Sequence, residues 1–204
     1  MNRNISEIIN SEDEFYRSYG ENLKNVLRVA CPGIIQSFDP IEQTVTVQPA
    51  IREDLRQDDM SKEWTQLPLL LDVPIYFPKA GGYSLTMPIE RGNECLVIFL
   101  DSCMDAWWAY GGVQNQIEKR RHDLSDAIAL VGLWSQPHRI TNYSTNSCQL
   151  RNDSGTAYIE LKDKNINIVA DKVNISAKNG IALDNISWDE HTHTGVHGET
   201  SPPH

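Results

Sequence analysis

AYIELKDKNINIVADKVNISAKNGIALDNISW, residues 157–188, repeats one small unit four times. Apolar residues two apart stand at Ile159/Leu161, Ile166/Ile168, Val173/Ile175 and Ile181/Leu183, and the pairs start 7, 7 and 8 residues apart. Lys, Asp, Asn and Gly fill the spaces between them. A strand places residues i and i+2 on one face. Each unit therefore predicts a strand of about five residues with two inward side chains, followed by a polar turn. One unit cannot build a core, and four pairs stacked from one chain still make a thin ribbon. Three chains wound about a common axis bury every pair and leave no free strand edge. A plain β-meander completing the preceding domain is the other arrangement the pattern permits; the near-constant step favours the wound one.

The repeat runs into HTHTGVHGETSPPH, residues 191–204, which holds four of the six histidines. His191 and His193 are two apart, so an extended chain turns both imidazoles to one side. Continued from three wound chains, they supply about six imidazole nitrogens around one axis, an octahedral donor set suited to a first-row transition ion such as Fe(II) or Ni(II) rather than to tetrahedral zinc. Two enzyme patterns fail on spacing. A metallo-β-lactamase H-x-H-x-D-H needs Asp and His where Gly195 and Val196 stand, and a cupin needs a Glu closer to His193 than Glu199 is. A metal ligated by histidine at every position also leaves no place for substrate. Gly195 is expected to break the strand, which makes His197 either a surface residue or one that supports the ligands from behind; His204 has no assigned role.

Upstream of the repeat the texture is different. Ser11 and Glu14 fit a capping box, and Phe15, Tyr16, Tyr19, Leu23, Val26 and Leu27 recur at helical spacing until Cys31-Pro32-Gly33 stops the helix. That stripe packs either on the chain's own next domain or on a partner. GIIQSFD and QTVTVQPAI then read as two strands with Val45, Val47 and Pro49 on one face, and REDLRQDDMSKEW as a polar loop. DVPIYFP, YSLTMPI, ECLVIFLD and RRHDLSDAIALVGLW carry further short apolar runs between Gly- and Pro-containing turns. This predicts a small β-barrel or sandwich. Trp107 and Trp108 are expected as core or subunit-interface anchors, and His122 as a hydrogen-bonded or surface residue, since no nucleophile motif accompanies its neighbour Asp123.

Composition narrows the functional classes. The 204 residues carry a formal charge of −10, which repels nucleic acid phosphates and anionic lipid, so no nucleic acid partner is expected. Four scattered cysteines without a C-x-x-C pair argue against a zinc ribbon or redox motif and for buried thiols. No apolar run reaches the roughly 20 residues of a membrane helix, and the first residues lack a signal-peptide core, so the chain is expected to fold in a cytosol.

HTHTGV after short β-repeats, together with PGIIQSFDPIEQTVTVQP, DVPIYFP, GNECLVIFLDSCMDAWWAYGG and RRHDLSDAIALVGL, resembles the membrane-puncturing central spike proteins of contractile-tailed, Mu-like bacteriophages over residues 20–200. The resemblance implies a mostly β chain: a helical arm (1–30), an OB-fold-like β-barrel (31–140), an intertwined trimeric β-helix shaft (141–190) and a metal-bound apex (191–204). It implies an iron ion shared by His191 and His193 of three chains, with no catalytic residue and no small-molecule substrate. The expected protein is a homotrimeric, non-enzymatic needle of the virion, at the tail tip. It docks on the baseplate hub and touches the bacterial outer membrane transiently as the sheath contracts. The competing readings are a trimeric receptor-binding fibre tip, which should end in a large head, and a metal-dependent enzyme.

Overall fold

The computed structural model describes residues 12–56, 62–183, 186–187, 194–196 and 198–199. The chain divides into two compact units, Met1–Arg139 and Ile140–His204. The first opens with helix α1, Glu12–Val26. Glu12, Asp13 and Glu14 face the positive end of its dipole and Lys24 lies in its last turn. Arg17 bonds Glu14 (Nε–Oε2 2.9 Å) and Glu21 (Nη1–Oε1 2.6 Å), both at helical spacing. Phe15, Tyr16, Tyr19, Leu23 and Leu27 of the apolar stripe are all exposed. The helix ends before Cys31-Pro32-Gly33, which lie inside the first strand rather than at a helix stop. The expected cap Ser11 lies outside the described residues.

The strands of this unit are β1 (Ala30–Asp39), β2 (Thr44–Pro49), β3 (Glu53–Arg56), β4 (Lys62–Thr65), β5 (Leu70–Tyr76), β6 (Lys79–Ala80), β7 (Tyr83–Ser84), β8 (Glu94–Phe99) and β9 (Ala127–Val131); the short helix α2 (Asp105–Tyr110) stands between β8 and β9. Five of them close a barrel in the order β1-β2-β5-β9-β8. All neighbours are antiparallel except β5 and β9, which run parallel. Alternation decides what points inward: Val45 and Val47 from β2, Cys95, Val97 and Phe99 from β8, Ala127 and Ala129 from β9 meet Ile35, Leu70, Val73 and Ile75 in one core. Val45, Val47 and Pro49 lie inside as the period of two predicts. The β1–β2 turn is fixed by Asp39, whose Oδ1 accepts the N–H groups of Ile41 (2.8 Å) and Glu42 (3.1 Å).

Gly33 sits where β1 crosses the barrel between Pro49 on β2 and Cys95 on β8. A Cβ there would overlap Val47 Cγ1 and press on Val97 Cγ2. Gly33→Ala is therefore expected to lower unfolding free energy by about 1–3 kcal/mol through overpacking. Urea denaturation with an unchanged midpoint would contradict this.

Two sequence expectations fail in this unit. The segment read as a polar loop, 52–64, contains the β3–β4 hairpin, paired from Glu53↔Thr65 to Arg56↔Lys62. A hairpin outside the barrel satisfies its backbone in a ladder without needing an apolar face, so polarity concealed it. YSLTMPI is a strand only at Tyr83–Ser84, because Pro88 and the lack of a partner end the pairing.

The second unit holds β10 (Cys148–Arg151), β11 (Tyr158–Lys162) and β12 (Asn165–Val169) in one antiparallel sheet, then the two-residue strands β13 (Ala182–Leu183), β14 (Ile186–Ser187), β15 (Thr194–Gly195) and β16 (Gly198–Glu199) in two hairpins. Of the four repeat units, those at Ile159 and Ile166 are full strands that turn at Asp163, which takes φ +50°. Val173 and Ile175 are exposed and lie in no strand, for within one chain they have no ladder to join. Within a single chain the strands pair as a meander, in a unit separate from the barrel. Gly195 does not break its strand: it pairs with Gly198.

Candidate functional site

The register of the three-stranded sheet shows which side chains share a face. Leu150 lies opposite Ile159, and Ile159 opposite Ile168; Cys148 lies opposite Leu161, and Leu161 opposite Ile166. Because opposed residues share a face, these two rows of three form one continuous apolar surface. Its five aliphatic side chains are 48–68% exposed. At those exposures they present about 500 Å² of contiguous apolar area, toward the upper end of the roughly 300–600 Å² that the largest apolar patch of a typical monomer reaches, and such patches are often functional. Removing it from water is worth on the order of 12 kcal/mol per chain.

The opposite face is internally bonded and polar around Glu160, with Tyr158 and Val169 paired at one end. Glu160, at its centre, accepts Ser147 Oγ (2.6 Å) and Gln149 Nε2 (3.1 Å) on Oε1 and Asn167 Nδ2 (3.0 Å) on Oε2. The Ser147 hydrogen bond, with those of Asn167 and Gln149, holds the Glu160 carboxyl below the ordinary carboxylate range. The sheet therefore carries hydrogen-bonded polar groups around Glu160 on one face and exposed aliphatic groups on the other. The spacing in the sequence identified Ile159, Leu161, Ile166 and Ile168. It missed Cys148 and Leu150, whose i, i+2 alternation is the same but whose distance from Ile159 breaks the seven-residue step.

His191 and His193, the expected metal ligands, lie outside the described residues, as do His197 and His204. Directly after His193 the chain forms the β15–β16 hairpin, Thr194 opposite Glu199, with Val196 exposed at its turn.

Three polar clusters occupy the barrel unit. Cys103, Asp105 and Asp126 place potential metal ligands within 4.8 Å of one another. Arg120 already fills their centre: Nη2 lies 3.2 Å from Cys103 Sγ, 2.8 Å from Asp105 Oδ2 and 3.1 Å from Asp126 Oδ1. A guanidinium takes the place of a cation, so the donor set does not fit a metal. At His122, Nδ1 bonds the Arg28 carbonyl oxygen (2.8 Å) and Nε2 lies 3.4 Å from Asp101 Oδ1, which is the hydrogen-bonded structural histidine its sequence context suggests. At His138, Glu94 Oε1 (2.8 Å) and Ser135 Oγ (3.3 Å) both approach Nδ1. A nucleophile relay needs hydroxyl and carboxylate on opposite ring nitrogens, so this is a latch on Glu94 and not a triad. Ser135 donates to Glu94 through both its N–H and its Oγ (2.7 Å), and these bonds with His138 hold the Glu94 carboxyl below its ordinary range.

The cysteines divide by position. Cys95 is buried and burial pushes its thiol up to about 11. Cys31 and Cys103 are half-buried, and Cys148 is exposed on the apolar face. Trp107 and Trp108 are half-exposed, which removes them from the core.

A family model described as the phage protein Gp138 N-terminal domain matches residues 31–132, from the second residue of β1 to the residue after β9. No curated protein matches the chain.

Proposed function

Because the chain belongs to the phage protein Gp138 N-terminal domain family, whose model spans half of its residues, we propose that it is a non-enzymatic needle at the tail tip of the virion. In this reading three copies assemble, the barrels, OB-fold-like in strand number, dock on the baseplate hub, and the C-terminal strands wind into a shaft driven through the outer membrane by sheath contraction. The observation that carries the proposal is the bare apolar face of β10–β12. A phage structural protein that leaves about 500 Å² of aliphatic surface on a sheet backed by satisfied polar groups is built to meet copies of itself.

Stiffness follows from the same chemistry. A single ribbon bends because one face is solvated; wound with two others, its apolar rows become a shared dry core and its edges are paired. The acidic charge of −10 per chain keeps the outer surface from adhering to anionic lipid during passage.

His191 and His193 fit a first-row transition ion by the chemistry of the donor set, imidazole being a favoured ligand for iron and nickel. These two residues from each chain would hold the ion, which supplies a structural cross-link between chain ends. The imidazoles bind in their neutral form, so acidification is expected to loosen the apex.

Light scattering of the purified chain tests the assembly, with a mass three times the 23.1 kDa protomer expected. Metal analysis should find about one iron for every three chains, absent from the His191→Ala, His193→Ala double variant, which should remain trimeric. A metal-free monomer would end the proposal. One zinc in each chain would instead revive an enzyme.

A further inference from the structure

Besides the exposed stripe of α1, the needle reading leaves unused an apolar patch and an apolar cleft at the two ends of β8. At the Phe99 end of β8 stands α2 with Trp107, Trp108 and Tyr110 exposed, and the run from Ala106 to Ile117 contains no charged residue. The start of α2 is anchored by hydrogen bonds. Asp126, fully buried, accepts the Met104 N–H at the helix start (3.0 Å), and Arg120 ties Asp126 to Asp105 in the first turn. At the Glu94 end of β8 lies a cleft of about 360 Å³ lined by Pro32, Ile34, Ala50, Ile51, Leu133 and Trp134. The one charged residue of its lining is Glu94, whose carboxylate Ser135 and His138 already engage.

The two ends of β8, Glu94 and Phe99, are roughly 17 Å apart at strand rise, so one barrel cannot place its own α2 in its own cleft. We propose that the tryptophan patch of one protomer seats in the cleft of the next, head to tail, closing the three barrels into a ring. The inference rests on the trimer reading and adds which surfaces meet.

Charge and area both select a second copy as the occupant. Two chains of −10 each repel over most of their surfaces, and these two patches are where they meet without opposing charge. Three partly exposed aromatic rings offer about 400 Å², and the cleft about as much again, so one contact buries about 800 Å². That is too little for a stable dimer. A ring gives every chain two such contacts, and chains already joined through their C-terminal strands hold the barrels at high effective concentration. Head-to-tail contacts either close or propagate as a filament, and joining in threes selects closure.

The test uses the full chain with Cys148→Ser to remove the exposed thiol, and adds Ala109→Cys on α2 and Ile51→Cys on the cleft rim. Oxidation of the double variant should give covalent trimers on a non-reducing gel, while each single variant gives none. Adding Leu133→Glu should cut the covalent yield at least about tenfold, the discrimination expected from one charge in an apolar socket, with the thermal transition unchanged. Cross-linking by Ala109→Cys alone would mean that like patches meet and would overturn the ring. Absence of cross-links in a protein that light scattering finds trimeric would overturn the ring and leave the needle. A monomeric parent would remove both.

Discussion

Arg120→Met is expected to cost about 3–5 kcal/mol of unfolding free energy at neutral pH, the penalty for stripping the partner from a buried charge. Asp126 has no solvent exposure. Its Oδ2 accepts Arg120 Nε at 3.0 Å, and its Oδ1 accepts Arg120 Nη2 at 3.1 Å and the Met104 N–H at 3.0 Å. Methionine fills the space of the side-chain stem but returns none of the guanidinium bonds. Burial pushes the Asp126 carboxyl upward; the Arg120 hydrogen bonds and the Met104 N–H overcome it and hold the group below the ordinary carboxylate range. A depressed folded-state pKa contributes stability that is present above the unfolded value of about 3.9 and is lost as pH falls through the folded one. In Arg120→Met the burial effect is left opposed by one N–H, the folded-state pKa rises, and the sign reverses: stability grows as the carboxyl takes up its proton. The gap between wild type and variant should therefore be widest near pH 7 and shrink toward pH 4. Adding Asp126→Asn should recover much of the loss, since the amide oxygen still accepts the Met104 N–H without a charge. Urea unfolding at both pH values measures this. A gap independent of pH, or an Asn that recovers nothing, would show that packing and not charge governs the site.

The barrel was legible because its strands obey one rule. TVTVQP and ECLVIF alternate, and the residues that alternate inward are those that meet. The β3–β4 hairpin was not legible, because a ladder outside the core requires hydrogen bonds and no apolar pattern. The Arg120 network was equally hidden: Cys103, Asp105, Arg120 and Asp126 are spread over 24 positions and come together only where β8 and β9 converge. The apolar face could be read in part. Period two exposed Ile159, Leu161, Ile166 and Ile168, while period seven, a property of the turns, overreached to Val173 and Ile175 and passed over Leu150. Side-chain parity is imposed by the backbone itself; turn length is free to vary, so a repeat step is the weaker guide to which strands form in one chain. Trp107 and Trp108 show the remaining limit. A sequence announces large apolar residues but not whether the chain that carries them is also the one that covers them.

Ile159→Lys should turn a trimer into a monomer at micromolar concentration while leaving the barrel unchanged. Ile159 is 48% exposed in the single chain and sits mid-row between Leu150 and Ile168. If that face met only water, a lysine there would be a surface change worth about ±0.5 kcal/mol. If the face is a shared core, three ammonium groups enter it together, each at an effective penalty of several kcal/mol, with no acidic side chain in either apolar row to pair with them. Lysine snorkelling relieves some of that, but even about 4 kcal/mol lost from assembly raises the dissociation constant roughly a thousandfold. Asn165→Lys is the matched control: the same charge enters the same hairpin on the polar face, opposite Lys162, and should leave the mass at the trimer value. Near-UV circular dichroism follows the barrel, whose core residues β10–β12 do not contain. The two variants bring the same charge to opposite faces, with Asn165→Lys bearing the added repulsion of Lys162, so a trimer that survives Ile159→Lys and Asn165→Lys alike would mean the aliphatic rows face solvent in the assembly, and the shaft would have to be sought elsewhere in the chain.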